Sequence, residues 1–242
     1  MSFGFYEDNM KEEKNENVES VYDAEQRLDI RIDRTKGAKG LVVQGVRDRE
    51  DREIIIPPTA YDQPIRRIGI GAFKESKAEV AIISRGVKEI GESSFEYCSN
   101  LREISLPAGV NKLGDRAFRC CRQLERVTLS KGLTALPFSL FEGCEHLTKI
   151  NIPEKVAEIG RSAFFRCGRL TEIYIPQSVK KIDSFAFAGC PSLTTVYYEG
   201  DEDDWKSIRI SSANDDLLRA ERKFGCKIAG DTYVEAFNTK SV

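Results

Sequence analysis

The residues that could carry chemistry in this 242-residue chain are seven cysteines and a single histidine, His146. Thiolate sulfur and imidazole nitrogen are zinc ligands, and suitably placed cysteines can form disulfides. Zinc sites usually combine a C-x-x-C pair with a second such pair or with histidines, whereas the only adjacent cysteines are Cys120 and Cys121. The spacing argues against a metal site or a disulfide, and we expect no cofactor.

Five of the cysteines recur every 23 residues, each with a phenylalanine three residues before it and a leucine three residues after it. They are Cys98, Cys121, Cys144, Cys167 and Cys190. Free cysteine packs as a small hydrophobic residue and is among the most buried residue types. We interpret the five as a buried ladder of reduced thiols, and expect Cys120 and Cys226 to be more exposed.

Sequence motifs for catalysis are missing. The chain contains no G-x-S-x-G, no G-x-x-x-x-G-K and no H-E-x-x-H, the patterns of nucleophilic, phosphate-binding and zinc-protease sites. His146 lies in the loop between Cys144 and Leu147, where the repeat constrains the residue type least. The Asp and Glu residues of the repeats occupy positions that the pattern predicts to be exposed to solvent. We therefore expect a protein that is not an enzyme.

The element that positions the cysteines is a repeat running from Ile90 to Tyr198. Its units begin, at position 0, with Ile90, Leu113, Leu136, Ile159 and Ile182. Phe recurs at position 5, Cys at 8, Leu at 11 and apolar residues at 14 and 16. Because one such unit cannot bury its apolar face alone, the period predicts a solenoid. Positions 14 and 16 predict a short strand, stacked in parallel with those of neighbouring units.

Glycines recur at position 1 of this repeat, as Gly91, Gly114 and Gly160. Glycine adopts turn conformations that are costly for other residues. We therefore predict a tight turn at position 1 of each unit.

Composition excludes several classes of protein. The chain is 40% hydrophobic and 31% charged, with a formal net charge of −2, which gives no attraction to nucleic acid or anionic membranes. No run approaches the roughly 18 apolar residues of a membrane helix, so we expect no membrane insertion. The N-terminus lacks the basic start and apolar core of a secretory signal. We expect a cytoplasmic protein, or a secreted or cell-surface one if a signal has been removed.

Four segments are predicted along the chain. Residues 1–20 are polar and acidic, a composition typical of a disordered tail. Residues 21–53 predict an N-terminal β-hairpin cap, because residues 28–32 alternate apolar with polar and residues 41–43 return after a glycine-containing turn. Residues 54–198 hold the repeats of about 23 residues. Residues 199–242 predict a C-terminal cap and tail, including a helix between 214 and 224.

Repeats of the form IGxxAFxxCxxLxxIxIPxxV resemble the bacterial leucine-rich repeats of the BspA type, over about residues 54–198. Eight positions recur together, and both flanking segments resemble the caps of these proteins. The resemblance implies a curved, right-handed leucine-rich-repeat solenoid of the α/β or mainly β class, with parallel strands on its concave face. It also implies a macromolecular binding role, often on bacterial surfaces. An adhesin-like protein that binds host matrix or carbohydrate is the alternative.

The positive evidence for function concerns a surface. Positions 13 and 15 flank the buried strand residue and should point outward from the concave face. The candidate binding residues there are Arg126, Lys149, Asn151, Glu172, Tyr174 and Tyr197. Exposed aromatics with mixed charge are typical of binding hot spots, although tyrosine also favours strands for packing reasons alone. We expect a protein partner, with carbohydrate or a matrix protein as the alternative.

A second surface, on the turn side of the repeats, is rich in arginine. Its members are Arg119, Arg122, Arg161, Arg166 and Arg169. Phosphate contacts dominate nucleic-acid affinity, but glutamates interleave with these arginines, so we expect no nucleic-acid partner. We interpret this side as a solvated turn face in preference to a binding site.

Overall fold

The computed structural model describes residues 26–34, 39–229 and 232–235. It is a parallel-strand β-solenoid of about eight turns, as the repeat predicts. The predicted disordered tail at residues 1–20 lies outside the described residues, as do positions 35–38 of the first turn and residues 236–242. Each circuit of the chain is called a coil below and is named by its position-0 residue.

The elements alternate short strands with turns until two short helices near the C-terminus. In chain order they are β1 (Leu28–Ile32), β2 (Leu41–Val46), β3 (Glu53–Ile56), β4 (Thr59–Ala60), β5 (Gln63–Ile68), β6 (Val80–Ile83), β7 (Glu89–Ile90), β8 (Glu103–Ser105), β9 (Lys112–Leu113), β10 (Arg126–Thr128), β11 (Ala135–Leu136), β12 (Lys149–Asn151), β13 (Glu158–Ile159), β14 (Glu172–Ile175), β15 (Lys181–Ile182), β16 (Thr195–Tyr198), α1 (Glu202–Ser207), β17 (Arg209–Ile210), α2 (Asp215–Arg219), β18 (Glu221–Lys223), β19 (Cys226–Ala229) and β20 (Thr232–Glu235).

Two stacks of parallel strands run along the solenoid, and each is interrupted once. The longer strands form the sheets β3–β6–β8–β10 and β12–β14–β16–β18. The shorter strands continue from β5 through β7 to β9 and start again at β11, followed by β13, β15 and β17. In the short-strand stack, Gly114 and Gly160 donate their N–H groups to the preceding coil at 2.8 Å. Pro137 occupies the equivalent position at the interruption and has no N–H to donate.

The third side of each coil is a stacked run of turns. Alternate backbone N–H groups bond to the next coil, for example from Phe95 to the Ala117 oxygen at 2.8 Å and from Phe118 to the Leu140 oxygen at 3.1 Å. Residues at positions 3 and 7 have positive φ throughout. Glycine takes position 7 twice, as Gly143 with φ 72° and Gly189 with φ 76°.

The explanation predicted for the glycines at position 1 is wrong. Gly91, Gly114 and Gly160 are not among the residues with positive φ. A Cβ on Gly91 would instead lie 2.7 Å from the carbonyl carbon of Gly69, in the coil before it. These positions need glycine because consecutive coils approach each other closely there.

The core is built from two ladders of identical side chains. Phe73, Phe95, Phe118, Phe141, Phe164 and Phe187 follow one another with ring centroids 5.0 to 5.6 Å apart. Beside them the five predicted cysteines are buried, and each thiol donates to the phenylalanine carbonyl of the preceding coil at 3.0 to 3.2 Å. Burial raises the pKa of Cys98 to about 12, so the thiol stays protonated. The buried cysteine ladder is confirmed.

The two cysteines outside the ladder behave differently from each other. Cys120 is half-buried, as expected. Cys226 is only 1% exposed, and its thiol donates to the Lys223 carbonyl at 3.2 Å. The expectation that Cys226 is more exposed is wrong, because the chain after β18 packs against the last coils.

At the N-terminal end, β1 pairs antiparallel with β2, which continues in parallel with β5. The predicted alternation holds for Leu28, which is buried, but not for Ile32, which is 63% exposed. The longer segment between β3 and β5 forms a small hairpin with β4, and its turn residues Tyr61 and Asp62 have φ of 48° and 58°. Such positive φ at both central residues is typical of a type I′ turn.

At the C-terminal end, the helix predicted at residues 214–224 is shorter than expected. It ends at Arg219, and β18 then pairs in parallel with β16. The pairing of β18 provides hydrogen-bond partners for the free N–H and C=O groups at the edge of β16. A longer helix would leave those groups unpaired. The side chain of Asn214 does not cap α2 but accepts from the Phe187 N–H at 3.0 Å, which extends the turn stack.

Candidate functional site

The predicted site residues lie on the long-strand face, defined as the outward side chains at positions 13 and 15 of the long strands. Parallel pairing aligns them in two rows along the solenoid. One row contains Lys149, Glu172 and Thr195, and the other contains Asn151, Tyr174 and Tyr197. Arg126 lies on the other sheet of this stack, paired with Glu103 of β8.

Each charged candidate forms an ion pair with a residue of a neighbouring coil. The guanidinium of Arg126 lies 2.7 Å from a Glu103 oxygen, and the Lys149 ammonium lies 2.8 Å from a Glu172 oxygen. Both cations are exposed, and exposed ion pairs stabilise a fold by only about 0–1 kcal/mol. These pairs can therefore open toward a partner at little cost in stability.

The prediction that Tyr174 is exposed on this face is wrong. Only 2% of the residue is accessible to solvent. Burial, with smaller effects from the charges of Glu199 and Glu154, raises the pKa of its hydroxyl. The structure thus buries a side chain at a position that the repeat directs outward.

Tyr197 is the aromatic residue of the predicted set that stays partly exposed. The Lys223 ammonium lies 5.6 Å from the centroid of its ring, because β18 aligns Lys223 beside Tyr197. Asn151 and Glu172 are half-buried in the same sheet. The sheet from β12 to β18 therefore presents an aromatic ring among polar and charged side chains.

An apolar part of the long-strand face was missed in the sequence. Ile55 is 38% exposed and lies beside the half-buried Ile82, while Val80 is the outward neighbour of Glu53. These strands are nearly continuous apolar runs, EIII in β3 and VAII in β6. Apolar residues at the outward positions of the two strands were the signal that could have identified this patch.

On the turn side, four side chains at position 6 form a continuous chain of ion pairs. The Lys74 ammonium lies 2.8 Å from Glu96, Arg119 lies 3.0 Å from Glu96, and Arg119 also lies 3.0 Å from Glu142. Glu96 is buried, and the ring of Tyr97 lies within 6 Å of both cations. Arg119, predicted as part of a solvated arginine surface, is instead a structural member of this ion chain.

The ion chain lowers the pKa of both of its carboxyl groups. Burial favours the neutral acids, but hydrogen bonds from Lys74 and Arg119 outweigh that effect for Glu96, and those from Arg119 contribute most to lowering the pKa of Glu142. A carboxyl with a lowered folded-state pKa stabilises the fold above its unfolded pKa, and this contribution disappears as the pH falls through its folded pKa.

We therefore expect the solenoid to lose stability as the pH falls below the ordinary glutamate pKa of 4.5. The double variant Glu96→Gln, Glu142→Gln should be less stable at neutral pH, and should lose less stability on acidification than the unchanged protein. Urea unfolding at a series of pH values measures both effects. Parallel pH profiles for the two proteins would contradict the assignment.

The described residues were also compared with the requirements of metal sites and membrane helices. Within residues 26–34, 39–229 and 232–235, no three His, Cys, Asp or Glu side chains come together as a potential metal site. In the same part of the chain, no helix has the length and apolarity needed to cross a bilayer.

Comparison with known protein families gives a clear match. The profile described as BspA type leucine rich repeat region matches residues 66–194 in six copies. Comparison with curated protein sequences gave no match. None of the matches indicates an enzyme family.

Solved structures of bacterial leucine-rich repeat proteins share the fold. A leucine rich repeat protein of T. pallidum is 22% identical with a TM-score of 0.68, over 76% of this chain and 83% of that one. A leucine rich cell surface protein of Faecalibacterium prausnitzii is 30% identical with a TM-score of 0.53, over 70% of this chain. One from Eubacterium ventriosum is 21% identical with a TM-score of 0.59, over 76% of this chain. This chain spans only 38% of the Faecalibacterium protein and 50% of the Eubacterium protein.

Proposed function

This chain belongs to the BspA type leucine-rich repeat family, and we propose that it is a non-catalytic module that recognises another protein through its long-strand face. The observation that carries the proposal is the sheet β12–β14–β16–β18, which displays Lys149, Asn151, Glu172 and Tyr197 on one side. The backbone of each strand is already fixed by the neighbouring strands. Little backbone conformational entropy is therefore lost when these side chains bind a partner.

The composition of this face suits a protein partner. Tyrosine provides a large contact area with few rotatable bonds, and Tyr197 is partly exposed beside Lys223. The apolar patch around Ile55 and Ile82 extends the same face toward the N-terminal end. Eight strands about 4.8 Å apart span roughly 35 Å, long enough for an interface of about 800 Å² on each partner.

The test is a loss of binding after truncation of the exposed candidates. Lys149→Ala with Tyr197→Ala should weaken binding of a physiological partner by at least about 2 kcal/mol, roughly thirtyfold. The partner is sought by affinity capture from the cytosolic fraction of the source organism and, in parallel, with immobilised host matrix proteins. Its affinity for each variant is then measured by calorimetry.

Tyr61→Ala provides the matched control, because Tyr61 is an exposed tyrosine in the hairpin turn between β4 and β5. It should bind as the unchanged protein does. If the Lys149, Tyr197 variant keeps full affinity while its thermal stability is normal, recognition does not use this part of the long-strand face.

A surface adhesin is the second candidate function, and one comparison favours it. The Faecalibacterium relative is described as a cell surface protein, whereas none of the comparisons supports the expected cytoplasmic location. Its ligand would then be a host matrix protein or a carbohydrate. Protease treatment of intact cells of the source organism, followed by detection of the protein, distinguishes the two: an exported protein is degraded and a cytoplasmic one survives.

A further inference from the structure

Three arginines on the turn side lack the ion pairs that the turn-side arginines of the Leu113 coil form. Arg161, Arg166 and Arg169 occupy positions 2, 7 and 10 of the Ile159 coil, and all three are exposed. Together with the rings of Phe165 and Phe185 they are called the arginine face below. It lies on a different side of each coil from the long-strand face.

The arginines on this side of the Leu113 coil are neutralised by glutamates. Besides the ion chain through Arg119, Arg116 lies 3.2 Å from Glu92 and Arg122 lies 3.5 Å from Glu145. No carboxylate of the described residues forms an ion pair with any arginine of the arginine face. The arginines of the turn side are therefore paired in the Leu113 coil but not in the Ile159 coil.

The neighbouring coils explain this change. The Ile182 coil carries only uncharged residues at the corresponding positions: Ser184, Ala188, Gly189, Pro191 and Ser192. In the Leu136 coil, Glu142 and Glu145 are already paired with Arg119 and Arg122. Beyond the Ile182 coil, Asp216 is bonded to Arg219 at 2.8 Å. Among the described residues, the three positive charges therefore have no carboxylate partner.

Aromatic rings hold two of the guanidinium groups in place. Arg161 lies 5.6 Å from the centroid of Phe185, and Arg166 lies 5.0 Å from that of Phe165. Phe185 is nevertheless 39% exposed, so apolar surface remains accessible beside the charges. Cation–π attraction of this kind is weak at exposed sites. It leaves the edge of the guanidinium, with its N–H donors, free to bind a carboxylate with two parallel hydrogen bonds.

We propose that the arginine face binds an acidic segment of a partner protein, one in which carboxylates alternate with apolar side chains. The carboxylates bind the guanidinium groups, and the apolar side chains pack against Phe165 and Phe185. Nucleic acid fits this surface less well, since only three cations are available and Glu142 and Glu145 border them. Phosphate backbones gain affinity from many distributed cations.

The experiment uses the full chain and a fluorescein-labelled peptide of about ten residues that alternates glutamate with leucine, a length typical of docked segments. Fluorescence anisotropy at low salt should show binding that weakens by about tenfold or more in the triple variant Arg161→Gln, Arg166→Gln, Arg169→Gln. The matched control Arg116→Gln, Arg122→Gln removes paired arginines from the same side and should change affinity by less than about threefold.

Each of four results would overturn the proposal. The triple variant could bind as the control does, or a peptide with glutamine in place of glutamate could bind equally well. A single-stranded oligonucleotide of equal charge could bind as tightly as the acidic peptide, which would indicate a general polyanion surface. Finally, neutralising Glu7, Asp8, Glu12 and Glu13 to Gln in the full chain could raise peptide affinity several-fold, which would identify the chain's own acidic N-terminal segment as the occupant. The Lys149, Tyr197 variant should bind the peptide normally, so failure of this proposal and failure of the long-strand face are distinguishable.

Discussion

Replacing Phe141 by alanine is expected to lower the free energy of unfolding by about 3–5 kcal/mol, the usual cost of removing a fully buried phenylalanine. Phe141 has no accessible surface, and its ring lies 5.6 Å from those of Phe118 and Phe164. Its position adds to the effect. Both strand stacks are interrupted between the Leu113 and Leu136 coils, where the hydrogen bonds of the turn stack and the phenylalanine ladder connect the two halves of the solenoid.

Urea unfolding followed by circular dichroism measures the change. His146→Ala in the same coil is the control, since the histidine is partly exposed and its ring makes a hydrogen bond to the Arg122 carbonyl at 2.9 Å. Loss of one such bond costs about 0.5–1.5 kcal/mol. Equal midpoints for the two variants would mean that the assigned repeat positions do not correspond to the core.

The repeat made the core predictable because each coil places the same side chain in the same surroundings. The side chain at position 5 of one coil packs against the side chain at position 5 of the next. A residue type that recurs there must therefore pack well against an identical side chain. Phenylalanine rings and cysteine thiols both satisfy this requirement. The same reasoning could have predicted the exposed ion pairs, because Arg126 follows Glu103 and Glu172 follows Lys149 at intervals of 23 residues.

The candidate site was less predictable where residues outside the repeat take part. The period directs Tyr174 and Tyr197 to the same face, but it carries no information about the chain beyond β18. Of the two, Tyr174 is only 2% exposed, whereas Tyr197 stays partly accessible. Burial of Cys226 has the same origin, since its surroundings belong to the C-terminal end and not to a repeat unit.

Among the glycines, Gly114→Ala is expected to reduce the free energy of unfolding by about 3 kcal/mol or more, at or above the upper end of the usual cost of overpacking. A Cβ at this position would lie 2.2 Å from the Glu92 backbone nitrogen and 2.6 Å from the carbonyl carbon of Gly91. Both atoms belong to the backbone of the preceding coil and cannot rotate away. The two coils would have to separate, which would also weaken the hydrogen bond from the Gly114 N–H to Ile90.

Gly168→Ala isolates this cause, because no atom beyond its two chain neighbours lies within 4 Å of the place that its new methyl group would occupy, and its φ is not in the left-handed region. Such a change should alter stability by no more than about 0.5 kcal/mol, or raise it slightly by restricting the unfolded chain. Thermal unfolding of the two variants compares them directly. A large loss at Gly114 with none at Gly168 assigns the glycines at position 1 to the close approach of coils. Similar losses at both positions would instead indicate a general penalty for replacing glycine, and the packing explanation would be wrong.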